Sequence, residues 1–319
     1  MKIQGWFVSA LWLSTLLATA QQPLVAAESS PPAVVERGPH HRVWQKVTPL
    51  VTSYGQTRFV TNSYVELATG LHYRNEQGQW TDSKEEIEVF NGSAVARQGQ
   101  HQIIFAANLN SAGAIDMLAP DGKRFRSHIL GLAYTDAASG QSVLIAETKD
   151  CLGAVLPPNQ VVYQDAFAGD CQVDVHYTYT KAGFEQDIIL LNAPPSPAEW
   201  GLNPETTRLE VFTEFIEAPD ALVTSVVLKQ EQDALRRQQM VEPDLIDQRL
   251  DFGVIKMENG QAFPLGQVDL ADASRVDTGK SLERIDGRLF LIEKVDYSAI
   301  RGHLQQLPLR QVDLAGAQG

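Results

Sequence analysis

A chain of 319 residues with 44% hydrophobic and 20% charged residues has the composition of a folded globular protein, which excludes the disordered and fibrous classes. Its 26 Lys and Arg against 39 Asp and Glu leave a net charge of -13. That field repels phosphate backbones and anionic membrane surfaces, so nucleic acid is excluded as a general partner and any basic site has to be local.

In chain order, the first predicted element is a secretory signal peptide over residues 1–27. Lys2 precedes an apolar run from Trp6 to Ala20, and two small-x-small sites follow, Ala18-Thr19-Ala20 and Val25-Ala26-Ala27. Cleavage after Ala27 is preferred because polar sequence begins at Glu28. An uncleaved anchor is the competing reading, but Ser9, Ser14 and Thr15 interrupt a run that falls short of the ~20 residues a bilayer requires. No membrane span is expected after cleavage, and residues 28–46, with Pro31-Pro32 and the His40-His41 pair, read as a linker.

From residue 47 onward, apolar and polar residues alternate between turn signals about every ten residues, the pattern of antiparallel sheets. Hairpins are predicted across Glu76-Gln77-Gly78, Pro120-Asp121-Gly122, Ala138-Ser139-Gly140, Glu258-Asn259-Gly260 and Asp286-Gly287, where Gly supplies the positive φ. Short helices are expected within Leu228–Met240 and over Ser298–Gln306, the second ended by Pro308, and the residues from Leu309 onward read as a tail. The fold class is therefore all-β, an antiparallel sandwich or enlarged two-sheet sandwich. The change of texture past Pro219 marks either a boundary between two β-rich parts, 47–218 and 219–319, or a long loop insertion in one continuous sandwich.

Cys151 and Cys171 are the only cysteines, and in an exported chain they are expected to form a disulfide worth about 3 kcal/mol. The seven histidines show no metal-ligand spacing, and no motif implies a metal or other cofactor. The clearest alternation lies in Val161–Leu191. There Val173, Val175, Tyr177 and Tyr179 share an apolar face, and Asp174, His176, Thr178 and Thr180 share the polar one. With Ala182-Gly183 as the turn, Tyr177 is expected opposite Ile188 and Thr178 opposite Asp187.

Within this stretch, Tyr163-x-Asp165-x-Phe167-x-Gly169, Val173-Asp174-x-x-Tyr177 and Gly183-Phe184-x-x-Asp187-Ile188-Ile189-Leu190 resemble a segment of the non-repetitive, β-rich head regions of secreted Rhs (YD-repeat) and wall-associated proteins. The resemblance covers about thirty residues, and the chain contains no YD repeats. It implies an exported head region and carries no catalytic residue with it.

Two classes of function are compatible with these features. The preferred one is an exported, non-enzymatic module that binds a glycan or a surface protein, with Trp80, Tyr73, His72 and His176 as candidate binding residues. The alternative is a secreted carbohydrate-active enzyme of glycoside hydrolase or lyase type. It would use Asp165, Asp174, Glu185 and Asp187 as the carboxylate source, because glycoside hydrolysis requires two carboxyl groups roughly 5–9 Å apart. Polar residues on the solvated side of a sheet need no chemistry to explain them, which favours the binding reading. The sequence leaves the oligomeric state open.

Overall fold

The computed structural model describes residues 30–265 and 275–308. The expected signal peptide, its cleavage sites and the expected tail lie outside the described residues. The described chain forms two units, one of residues 30–36 and 42–66, the other of residues 37–41, 67–265 and 275–308.

The first unit is built on a three-stranded sheet, β1 (Ala33–Arg37), β2 (His41–Val51) and β3 (Thr57–Leu67), in the order β1-β2-β3. The stretch expected as a linker is thus largely strand. Its proline and histidine pairs outweighed an alternation that already begins at Arg42-Val43-Trp44. A tight turn closes the β2–β3 hairpin, with Thr52 N–H donating to Gln56 O at 2.8 Å.

The second unit begins with a two-stranded ribbon, β4 (His72–Arg74) and β5 (Trp80–Asp82). A meander continues through β6 (Glu88–Phe90), β7 (Ser93–Ala96), β8 (Gln102–Phe105), β9 (Ile115–Leu118) and β10 (Arg124–Asp136). Next come β11 (Ser142–Glu147), β12 (Gly153–Leu156), β13 (Gln160–Tyr163), β14 (Val173–Tyr179) and β15 (Phe184–Leu190). The chain then runs through β16 (Thr207–Glu217), β17 (Leu222–Gln230), α1 (Ala234–Gln239), β18 (Asp244–Asp251), β19 (Lys256–Met257) and β20 (Gly260–Ala262). It ends in β21 (Val276–Ile285), β22 (Arg288–Asp296) and α2 (Tyr297–Leu304).

The protein is all-β, as the alternation predicts. A ten-stranded antiparallel sheet runs β20-β21-β22-β16-β10-β9-β8-β7-β6, with β11 also on β10. The 13-residue β10 organises it, pairing with β16 on one side and with β9 and then β11 on the other. Gly131 is required there, because a Cβ would sit 2.5 Å from the Ala146 carbonyl oxygen across the β11 bulge. A four-stranded sheet, β12-β13-β14-β15, supplies the second layer. Ile103, Phe105, Ile129 and Leu132 of the large sheet share one core with Val161, Tyr163, Val175 and Tyr177 of the smaller one. Tyrosine hydroxyls at the edge of this apolar layer find backbone acceptors: Tyr179 Oη donates to His101 O at 3.0 Å and Tyr163 Oη to Ala106 O.

Three expectations are corrected. The change at Pro219 is not a boundary, because β21 and β22 complete the sheet that contains β10 and β16. The turn after β18 lies at Phe252–Ile255, where Gly253 takes a φ of 101°, and Gly260 instead starts a strand that pairs with β21. No disulfide joins Cys151 and Cys171, which are not near each other. Cys151 leads into β12 and Cys171 into β14, with β13 between them. Two strand spacings are roughly 9–10 Å, beyond the ~7 Å Cα limit for a disulfide. Alkylation of the unfolded, unreduced protein is expected to label both cysteines; failure to label either before reduction contradicts this arrangement.

Candidate functional site

The 161–191 stretch forms the strands expected of it with the faces expected of it. Val173, Val175, Tyr177 and Tyr179 are fully buried, and Asp174, His176 and Thr178 look the other way. The pairing is offset by two residues from the expected register: Val175 lies opposite Ile188, His176 opposite Asp187 and Thr178 opposite Glu185. A two-residue shift preserves the faces. It arises because Lys181-Ala182 form the turn, closed by Thr180 N–H donating to Gly183 O at 2.9 Å and Gly183 N–H donating to Thr180 Oγ1 at 3.0 Å.

This fold gathers most of the predicted carboxylates on one polar face, and gives Asp165 and Asp174 structural roles. Asp174 is buried, and its Oδ1 accepts the Asp165 backbone N–H at 2.8 Å. That bond braces Asp165, whose φ of 48° is left-handed and whose Oδ2 takes Lys149 Nζ at 2.7 Å. His176 Nε2 stands 3.9 Å from Asp174 Oδ2. Burial pushes the Asp187 carboxyl up and the facing His176 opposes the shift. Glu185 is exposed at the far end of the strand. Burial likewise raises the Cys151 thiol, with Lys149 opposing the shift and Asp165 and Asp174 adding to it. Two shallow clefts of about 400 and 330 Å3 open elsewhere, one beside Glu199, Tyr297 and Arg301 and the other beside Pro219 and Arg284, and none of the four carboxylates lines either.

The candidate aromatic platform is not assembled. His72 is fully buried, with Nδ1 2.8 Å from Gly38 O and Nε2 3.1 Å from Asp82 Oδ1, so it cannot meet a ligand from solvent. Trp80 is half-buried with the Arg74 guanidinium 4.3 Å above its ring. Tyr73 precedes Arg74 in the strand and therefore points to the other side of the ribbon.

The feature sequence reasoning missed is the β1–β3 sheet. On one face, Trp44 stacks on Tyr64 at 6.0 Å, and Arg42 and Trp44 Nε1 both donate to Glu66, at 2.7 and 2.8 Å. The opposite face carries Val43, Gln45, Val47, Pro49 and Val51 from β2 and Thr57, Phe59, Thr61, Ser63, Val65 and Leu67 from β3, without one charged residue. None of the side chains between residues 42 and 66 is buried: Phe59 is 67% exposed, Val65 57% and Tyr54, at the hairpin tip, 91%. Seven of the eleven residues on the uncharged face are apolar, and soluble proteins rarely leave such a grouping in water unless it meets a partner. The signal was present as the alternation of Val43 to Val51 and Thr57 to Leu67, but alternation alone does not tell whether a core covers it.

No family model, no curated protein and no solved structure matches the chain. Among the described residues no group of three or more His, Cys, Asp or Glu is arranged to hold a metal ion, and no helix is long and apolar enough to cross a membrane.

Proposed function

We propose that this chain is an exported, non-enzymatic β-sandwich module that acts as a surface head or scaffold, and that its β1–β3 sheet binds a protein partner. The observation that supports the reading is the uncharged, exposed face carrying Phe59, Val65 and Leu67. A glycan is the weaker ligand class, since this face carries a single aromatic ring, Phe59, among mostly aliphatic side chains, and Trp80 is capped by Arg74. The resemblance to Rhs-type head regions supports export and a head role. The enzyme reading has less support, because Asp165 and Asp174 are engaged in holding a loop.

The test compares Phe59→Ser/Val65→Ser with Asp174→Asn/Glu185→Gln in chains extracted from the native host's envelope after crosslinking. The sheet variant is expected to lose its crosslinked protein partner at least tenfold while the carboxylate variant retains it. Turnover of an envelope polysaccharide that disappears in the carboxylate variant would overturn the proposal.

A further inference from the structure

We infer that the open edge of β3 pairs with the β3 edge of a second copy of this chain, forming a two-fold antiparallel dimer centred on Asn62. The inference rests on the reading of β1–β3 as the recognition sheet and names the partner as the chain itself.

The backbone parity of β3 comes first. In an antiparallel pair each residue turns both its N–H and its C=O to the same neighbour, and successive residues alternate. Thr52 N–H bonds Gln56 O, and Arg42 and Trp44 lie across from Glu66 and Tyr64. Even-numbered residues of β3 therefore face β2, and Thr57, Phe59, Thr61, Ser63, Val65 and Leu67 turn their backbone groups to the other side. That side is the edge of the sheet. Outside the strand ladders, the backbone hydrogen bonds of the described residues do not involve Thr57, Phe59, Thr61, Ser63, Val65 or Leu67.

Edges of this length are normally blunted by proline, lysine, a bulge or brevity. β3 has 11 residues, and its sequence TRFVTNSYVEL contains no proline, glycine or lysine, with charges only at Arg58 and Glu66 near its ends. Those charges have opposite sign and lie four residues either side of Asn62. A dyad through Asn62 places Arg58 against Glu66 of the second copy, Phe59 against Val65, Val60 against Tyr64 and Thr61 against Ser63. Aromatic meets β-branched and hydroxyl meets hydroxyl, combinations that stabilise cross-strand pairs, while each Arg58 lies beside a Glu66 whose carboxylate is already held by Arg42 and Trp44 of its own chain. The odd-numbered residues, whose backbone groups face the edge, become the hydrogen-bonded pairs, so side-chain and backbone requirements agree on one register. Moving the centre to Thr61 sets Phe59 against Ser63, and moving it to Ser63 sets Val60 against Glu66; both mix the classes. The product is a continuous six-stranded sheet that joins the two uncharged faces, so that chains of net charge -13 meet there without like charges directly opposed.

Sedimentation velocity over a concentration series tests this, together with two variants. Wild-type chain is expected to run at twice its monomer mass at high concentration. Asn62→Cys is expected to form an intermolecular disulfide on air oxidation, because Asn62 and its symmetry mate form a non-hydrogen-bonded pair with Cα atoms roughly 4.5 Å apart. Ser63→Pro removes an N–H from the open edge but none from the β2 ladder, and is expected to weaken the dimer at least tenfold with the β-sheet circular dichroism unchanged. A monomer at every concentration overturns the inference, as does a dimer that is indifferent to Ser63→Pro and leaves Asn62→Cys uncrosslinked. A monomer whose envelope partner is still lost in Phe59→Ser/Val65→Ser leaves the proposed function standing and removes only self-pairing; loss of both removes the recognition sheet itself.

Discussion

Asp247→Ala is expected to lower the unfolding free energy by about 3–5 kcal/mol, the usual consequence of stripping one partner from a buried ion pair. Asp247 and Lys280 are 1% and 5% exposed, and Lys280 Nζ lies 2.8 Å from Asp247 Oδ1 and 2.6 Å from Glu258 O. Lys280 stands on β21 across from Glu293 on β22, and burial pushes the Glu293 carboxyl up while Lys280 opposes the shift. In the alanine variant the ammonium keeps the Glu258 carbonyl but loses its closest anion. The double variant Asp247→Leu/Lys280→Met removes both charges and is expected to recover most of the loss. Denaturant titration checks both. A cost below about 1 kcal/mol for Asp247→Ala contradicts the account. The raised Glu293 carboxyl also sets a pH dependence. The folded state holds that proton more tightly than the unfolded one, so its contribution is present at low pH and is lost as pH climbs through the folded value. Glu293→Gln is expected to flatten that decline.

Phe105→Ala is expected to cost about 3–5 kcal/mol, because it empties the joint between the two layers of the second unit. Phe105 is fully buried on β8, with its ring 5.8 Å from Tyr177 and 6.0 Å from Phe184 on the smaller sheet. Tyr177 in turn stacks on Phe184 at 5.4 Å and meets Tyr163 edge-on. Phe59→Ala, at a ring 67% exposed, is expected to change stability by less than about 0.5 kcal/mol. Chemical denaturation of the two variants side by side checks the contrast, and equal costs contradict it. The contrast bears on function, since a large aromatic ring that contributes nothing to folding is a ring available to a partner.

Local chemistry was legible in the sequence where one or two residues decide the geometry. Asp286 and Gly287 both adopt positive φ and close the β21–β22 hairpin as their types require, and Gly122 does the same for β9–β10. The face assignment of β14 also followed from period-2 alternation, since burial depends only on parity. Its register did not, because a hydroxyl at Thr180 shaped the turn in place of a glycine. Pairings between distant segments were not legible. β16 and β22 lie about eighty residues apart and find each other through buried surface rather than through any turn signal. The cysteines illustrate the same limit, for sequence proximity suggested a bridge while β13 inserts between the strands they precede.

The candidate site divided along similar lines. Asp165, Asp174, His176 and Asp187 were recognisable as one polar face, but their duties depend on the left-handed backbone at Asp165 and on Lys149, which only the fold brings there. The β1–β3 sheet escapes the sequence for the opposite reason: its first part reads as a linker and the rest as an ordinary sandwich, and the exposure of its described side chains has no sequence signature.

The most direct test of the central claim places a photo-crosslinking phenylalanine analogue at Phe59, or in a parallel chain at Glu185, and illuminates the protein in its native envelope. The account predicts a covalent adduct to a protein chain from position 59 and none from position 185. Adducts from position 185 alone, on the carboxylate face, would contradict it.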